Sequence, residues 1–97
     1  MKIALVSDLH ANLQAWRAVL LDIRSMRLDA IICLGDAVGY GPSPADVVAS
    51  LAAHANHCLL GNHDAALCGK IQTSSFTPEA AQVIAWTRGR VGKNVYR

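Results

Sequence analysis

The 97-residue chain is predicted to be an α/β domain made of right-handed parallel βαβ units, and three observations lead there. Short aliphatic runs without polar alternation occur at three places, as in the strands of a parallel sheet. Between them lie segments with apolar residues at helical spacing and cap residues at their starts. Each aliphatic run also gives way, at its C-terminal end, to carboxylate, imidazole or amide side chains, which is where sites form on open α/β sheets.

Residues 2–7, with Ile3-Ala4-Leu5-Val6 at their centre, read as a short buried strand running into Ser7-Asp8-Leu9-His10. Asn12 is a plausible N-cap for a helix whose apolar side is Leu13, Trp16, Leu20 and Ile23, ending near Leu28-Asp29. Trp16 lies on that stripe and is read as core rather than as a base-stacking ring. The second strand, 30–34, leads into Gly35-Asp36 and a glycine-rich loop through Pro42. Tyr40 in that loop either touches substrate or covers the loop. The loop lacks the lysine and spacing of a P-loop. Ser43, Pro44 and Asp46 form a cap, first-turn proline and capping-box acid for a helix through Leu51. A third strand around His57–Leu60 precedes Gly61-Asn62-His63-Asp64, and the chain then reads as loop through Ser75. Thr77-Pro78-Glu79 opens a last helix with Val83, Ile84 and Trp86 on its apolar side, interrupted by Gly89 and Gly92.

Composition narrows the class. The length allows one small domain. Hydrophobic residues make up 53% and charged residues 16%, against averages of about 45–50% and about 25%. So apolar a chain either associates through an apolar face or is part of a larger fold. No apolar run nears the roughly 18–20 residues of a membrane helix, and the N-terminus has no signal-peptide core, so a cytoplasmic location is expected. Three cysteines at no repeated spacing describe no disulfide framework; Cys33 and Cys58 read as small hydrophobes within strands. A net charge of +2 with scattered arginines gives no nucleic-acid footprint.

The strand ends suggest metal chemistry. Asp8 and His10 are two apart, so on an extended segment both project to one side and can grip one cation. Asp36 can bridge two cations, and Asn62 offers an amide oxygen to the second. Mixed nitrogen and oxygen donors without thiolate suit Mn, Fe, Zn, Co or Ni. Two such ions can hold a hydroxide and neutralise a phosphoryl group during in-line displacement. His63 can protonate the leaving oxygen, with Asp64 orienting its ring. His54, His57 and Cys58 form either a zinc cluster or ordinary solvated and capping groups.

Ser7-Asp8-Leu9-His10-Ala11-Asn12, the loop Gly35 to Pro42, and Gly61-Asn62-His63-Asp64 together resemble the calcineurin-like metallophosphoesterases, near the small YfcE-type phosphodiesterases and the diadenosine-tetraphosphatase-like group. The resemblance covers about residues 1–88 and leaves 89–97 as a divergent tail. It implies that Asp8 and His10 bind a first metal, Asp36 bridges, Asn62 binds a second and His63 serves catalysis. It also implies that the βαβ units form roughly half of an αββα sandwich. Two departures stand out. Ala11 replaces the family's usual glycine, which is tolerable if its φ is negative. The family's later histidines, which complete both metal shells, have no counterpart, suggesting a premature end or frame change.

The resulting expectation is a metal-dependent phosphoesterase with an incomplete site, holding one ion weakly and turning over phosphodiesters poorly or not at all. Its substrate would be a phosphate-ester small molecule or nucleotide. The uncovered sheet face should drive homo-oligomerisation. The alternative is a non-catalytic remnant that binds metal or a partner protein through that face.

Overall fold

The computed structural model describes residues 1–91. Three parallel strands, β1 (Ile3–Val6), β2 (Ala30–Cys33) and β3 (His57–Cys58), lie in the order β1-β2-β3. Ile3 pairs with Ala30 and Val6 with Cys33, while Cys33 also pairs with Cys58 on the far side. Helices α1 (Leu13–Arg24) and α2 (Pro44–His54) form the two crossovers. The βαβ units expected from the sequence are present.

Helix α1 starts where its cap chemistry says it should: the Asn12 side chain accepts the Ala15 N–H at 3.0 Å. It ends at Ser25, several residues before the expected Leu28-Asp29, with the Met26 N–H turning back onto the Ile23 carbonyl. Asn12→Ala removes the cap acceptor, and urea unfolding should register about 1 kcal/mol of lost stability. At α2, Pro44 takes the first helical position, but the Ser43 side chain makes no cap hydrogen bond. No Ser43 capping box forms there.

The core is one-sided. Leu9, Leu13, Trp16, Cys33, Ala37, Val47 and Leu51 pack between the sheet and its two helices. Trp16 is 2% exposed, and its indole N–H donates to Ser50 Oγ at 2.8 Å, so the ring is core and not a stacking platform. Because α1 and α2 cover one face only, β1 is not the fully buried strand its run of aliphatics suggested: Ile3 and Leu5 are exposed, as are Leu34, Leu59 and Leu60 near the other strand ends. Cys58 is exposed too, so the small-hydrophobe reading holds for Cys33 alone.

After β3 the chain does not run on as loop. Helix α3 (Asn62–Leu67) starts immediately, and α4 (Pro78–Val91) packs on it and on α2. The Arg88 guanidinium donates to the carbonyls of Ala66 and Leu67 at the end of α3, tying α4 to it. Gly89 sits inside α4 without breaking it; Gly92 and the remainder of the tail lie outside the described residues. Ile84 and Thr87 are buried, whereas Trp86 is 42% exposed and off the core side expected for it. No helix of the described residues is long and apolar enough to cross a membrane.

Candidate metal centre

The loops that leave β1 and β2 remain zipped together beyond the strands. Leu34 N–H donates to the Val6 carbonyl, then Asp8, His10 and Ala11 N–H groups donate to Gly35, Asp36 and Ala37 carbonyls at 2.8–3.0 Å. Within this ladder the backbone repeatedly turns left-handed: φ is 56° at Asp8, 47° at His10, 57° at Ala11, 56° at Asp36 and 63° at Tyr40. Such conformations cost on the order of 1–3 kcal/mol each for residues with a side chain and concentrate at functional sites. The condition placed on Ala11 therefore fails, since its φ is positive. Its methyl is completely buried, and that burial offsets part of the strain.

The bends bring Asp8, His10 and Asp36 together, with one ligand atom from each within 4.8 Å of the others. Their chemistry fits a divalent cation. His10 Nδ1 is 2.9 Å from the Val38 carbonyl, which makes Nδ1–H the donor and turns a lone pair on Nε2 toward the cluster. That Nε2 is 3.3 Å from Asp8 Oδ1. The Ser7 hydroxyl donates to Asp8 Oδ2 at 2.6 Å and holds the carboxyl below its ordinary range, so it is ionised at neutral pH. Two carboxylates and an imidazole leave open positions for water or substrate. Among the described residues, this is the one group of three or more such donors so arranged; His54, His57 and Cys58 do not form a second. His54 Nδ1 instead meets the Ser50 carbonyl in its own helix.

The Gly61 turn brings the third strand end to the same place. A Cβ on Gly61 would collide with Asp36 Oδ1, so only glycine permits the approach. Asp36 Oδ1 accepts the His63 N–H at 3.0 Å. Between these contacts Asn62 is exposed as the first residue of α3.

His63 is buried among rings. Its centroid is 5.0 Å from that of His10, 4.9 Å from Tyr40 and 5.1 Å from Phe76. Gly39, at φ 96°, lets the loop backbone lie against its ring, where a Cβ would run into Nδ1. Burial holds the imidazole below the usual histidine range while Asp36 pulls the other way, so the ring is uncharged near pH 7. Among the described residues, Nδ1 is buried with no hydrogen-bond partner.

Among the described residues no hydrogen bond joins Asp64 to that nitrogen, although its charge acts on the ring and favours the protonated form. Its carboxylate, fully buried, accepts backbone N–H groups from Asp36, Ala37, Val38 and Gly61. It fastens the β2 loop to the start of α3. Phe76 and the Val38 carbonyl were not foreseen; a lone aromatic in a polar stretch and a backbone acceptor leave no pattern in a sequence.

The calcineurin-like phosphoesterase family model matches residues 1–93. This chain belongs to that family. An uncharacterised protein of Methanocaldococcus jannaschii is 41% identical over 92 residues, covering 95% of this chain and 37% of the relative. A metallophosphoesterase from Sphaerobacter thermophilus superposes with a TM-score of 0.73 at 43% identity, over 93% of this chain and 36% of that one. A protein proposed to be a diadenosine tetraphosphatase shares the fold at 23% identity and a TM-score of 0.62, over 86% of this chain and 41% of that one. The chain thus spans well under half the length of these relatives, and its three-stranded α/β unit corresponds to part of the family fold.

Proposed function

We propose that this chain supplies the first cation site of a metal-dependent phosphoesterase, acting on a phosphodiester or phosphomonoester of a small molecule or nucleotide. The observation that carries the reading is the convergence of Asp8, His10 and Asp36 on one point. These residues would hold a divalent ion of the Mn, Fe, Zn, Co or Ni type. Such an ion supplies Lewis acidity toward a phosphoryl oxygen and makes water nucleophilic near neutral pH. Asn62 is assigned to a second ion of a dinuclear centre, sharing Asp36. His63, uncharged near pH 7, is assigned to hydrogen-bond the leaving oxygen from inside its ring of aromatics, and to protonate it only at the lower pH where its ring is charged. Asp64 serves by holding Asp36 and His63 in register.

The ligand count limits the activity. The first ion has three donors, and the second only Asp36 and the neutral Asn62. Calorimetric titration with Mn²⁺ should give one weak site on the 97-residue chain, and bis(p-nitrophenyl) phosphate should turn over poorly or not at all. Robust metal-dependent turnover would overturn the incomplete-site reading, and absence of any Mn²⁺ binding would overturn the metal reading itself.

The exposed apolar face favours a second reading. Leu5 is 63% and Leu59 56% exposed, at strands with helices on one side. In that reading the chain is a non-catalytic unit that binds metal or a protein through the sheet. For the chain alone we propose a cytoplasmic homo-oligomer burying this face. Light scattering that gives a monomer at high concentration would refute it.

A further inference from the structure

We propose that the groove between the β2–α2 loop and α4 is a nucleobase subsite, selective for a base carrying an exocyclic amine. The groove has a volume of about 480 Å³ and is lined by Tyr40, Pro42, Glu79, Gln82 and Trp86 among others. That volume lies within the roughly 300–1,000 Å³ range of small-molecule sites. Nothing in the chemistry assigned to Asp8, His10, Asp36 and His63 uses it.

Three features point to this occupant. The first is continuity with the metal centre. The Tyr40 ring lines the groove, yet its centroid is also 5.0 Å from His10 and 4.9 Å from His63. One phenol ring is therefore a wall common to both, and a ligand that spans it has one end in the groove and the other beside the cation ligands. The second is the pair of exposed aromatics. Tyr40 is 60% and Trp86 42% exposed, which leaves two large flat rings available to a flat ligand. The Arg90 guanidinium lies over one face of the Trp86 ring, 4.9 Å from its centroid, so stacking falls to the other face. Base–aromatic stacking contributes about 1–3 kcal/mol per base.

The third feature is polar. Glu79 lines the groove, and no ion pair engages its carboxylate among the described residues. An ionised carboxylate only accepts hydrogen bonds, so it selects a ligand edge that donates. It also repels phosphate and thereby directs the phosphate end of a nucleotide across Tyr40 toward the cations. The Gln82 amide both donates and accepts, as the neighbouring positions of an adenine edge require. A simple aryl group would stack but would leave Glu79 unused.

This subsite deepens the phosphoesterase reading and rests on it for the orientation of the nucleotide, but base binding itself requires neither metal nor phosphate. The test is therefore a titration of the ¹⁵N-labelled 97-residue chain with adenosine, with EDTA present. Trp16 is buried in the core, so its indole N–H resonance is an internal control for that of Trp86. The Trp86 resonance should shift saturably and the Trp16 resonance should not.

Purine riboside, which carries hydrogen in place of the amine and has no N1–H, should bind about five- to tenfold more weakly than adenosine, and Glu79→Gln should erase that difference. Trp86→Ala, followed by the backbone amide resonances of Gln82 and Val83, should weaken adenosine by about 5- to 150-fold. The same spectra show whether each variant is folded, and Glu79→Gln alters only one exposed first-turn side chain. An unmoved Trp86 resonance overturns the proposal. So do equal affinities for adenosine and purine riboside, or p-nitrophenol binding as tightly as adenosine. Mn²⁺ binding in a separate titration would survive each of these failures, so loss of the subsite and loss of the metal reading are distinguishable.

Discussion

Asp64→Asn is expected to destabilise the chain by about 3 kcal/mol and to weaken Mn²⁺ binding, although Asp64 is not assigned as a ligand. The carboxylate is fully buried and accepts N–H groups from Asp36, Ala37, Val38 and Gly61. Asparagine fills the same volume but presents one oxygen and one NH₂, so donors then face donors on half of the contact. A hydrogen bond to a charged group is worth about 1.5–3 kcal/mol net, and a buried donor left without a partner costs about 1–3 kcal/mol. The four contacts share one side chain and cannot simply be summed, so the expected loss is that of one or two of them. The effect on the metal follows from the backbone. Two of the four N–H groups flank the side chain of Asp36 and one belongs to Gly61, against which that side chain packs. Release of this staple frees the bridging ligand to move. Urea unfolding and calorimetry of the same preparation should show both losses. An unfolding free energy within about 0.5 kcal/mol of the parent's, the size of an ordinary surface substitution, would overturn the staple.

Much of this was legible in the residues, and the parts that were not share a cause. Strand positions could be read because Ile3 to Val6 and Ala30 to Cys33 are apolar throughout, and cap chemistry at Asn12 and Pro44 located the helix starts. The coincidence of Asp8, His10 and Asp36 followed from parallel topology, which puts all strand C-termini at one edge. The surroundings of Asp64 and Ala11 depend on backbone conformation at a distance, which residue order does not display. A carboxylate next to a histidine invites a side-chain pairing, and only the folded loop reveals that unpaired N–H groups of residues 36–38 claim it first. Ala11 has its positive φ within a ladder whose acceptors, such as the Ala37 carbonyl, lie far along the chain. Short helix α3 escaped notice because its six residues, Asn62–Leu67, are too few for periodicity to register.

Asp36→Asn should separate metal binding from folding, with Mn²⁺ affinity falling at least about 100-fold while the unfolding free energy changes by about 1 kcal/mol or less. The argument turns on what the substitution preserves. Asp36 Oδ1 accepts the His63 N–H at 3.0 Å, and an amide oxygen can do the same. Its φ of 56° is one that asparagine tolerates better than almost any other residue with a side chain. What is lost is charge. Asp8 and Asp36 are the two anionic donors of the cluster, and with His10 neutral they balance a divalent ion; in the asparagine variant Asp8 is the sole anionic donor. Loss even of a residue behind the ligands typically costs roughly 10- to 100-fold in metal affinity, so loss of an anionic ligand should reach at least the upper end. Asp36→Ala provides the contrast. It removes the acceptor for His63 and puts a methyl-bearing residue in the left-handed region, so it should also lower stability, by about 1–2 kcal/mol. Calorimetric Mn²⁺ titration and urea unfolding on both variants give the comparison. An asparagine variant that is folded and binds Mn²⁺ within about threefold of the parent would show that the cation does not sit on Asp36.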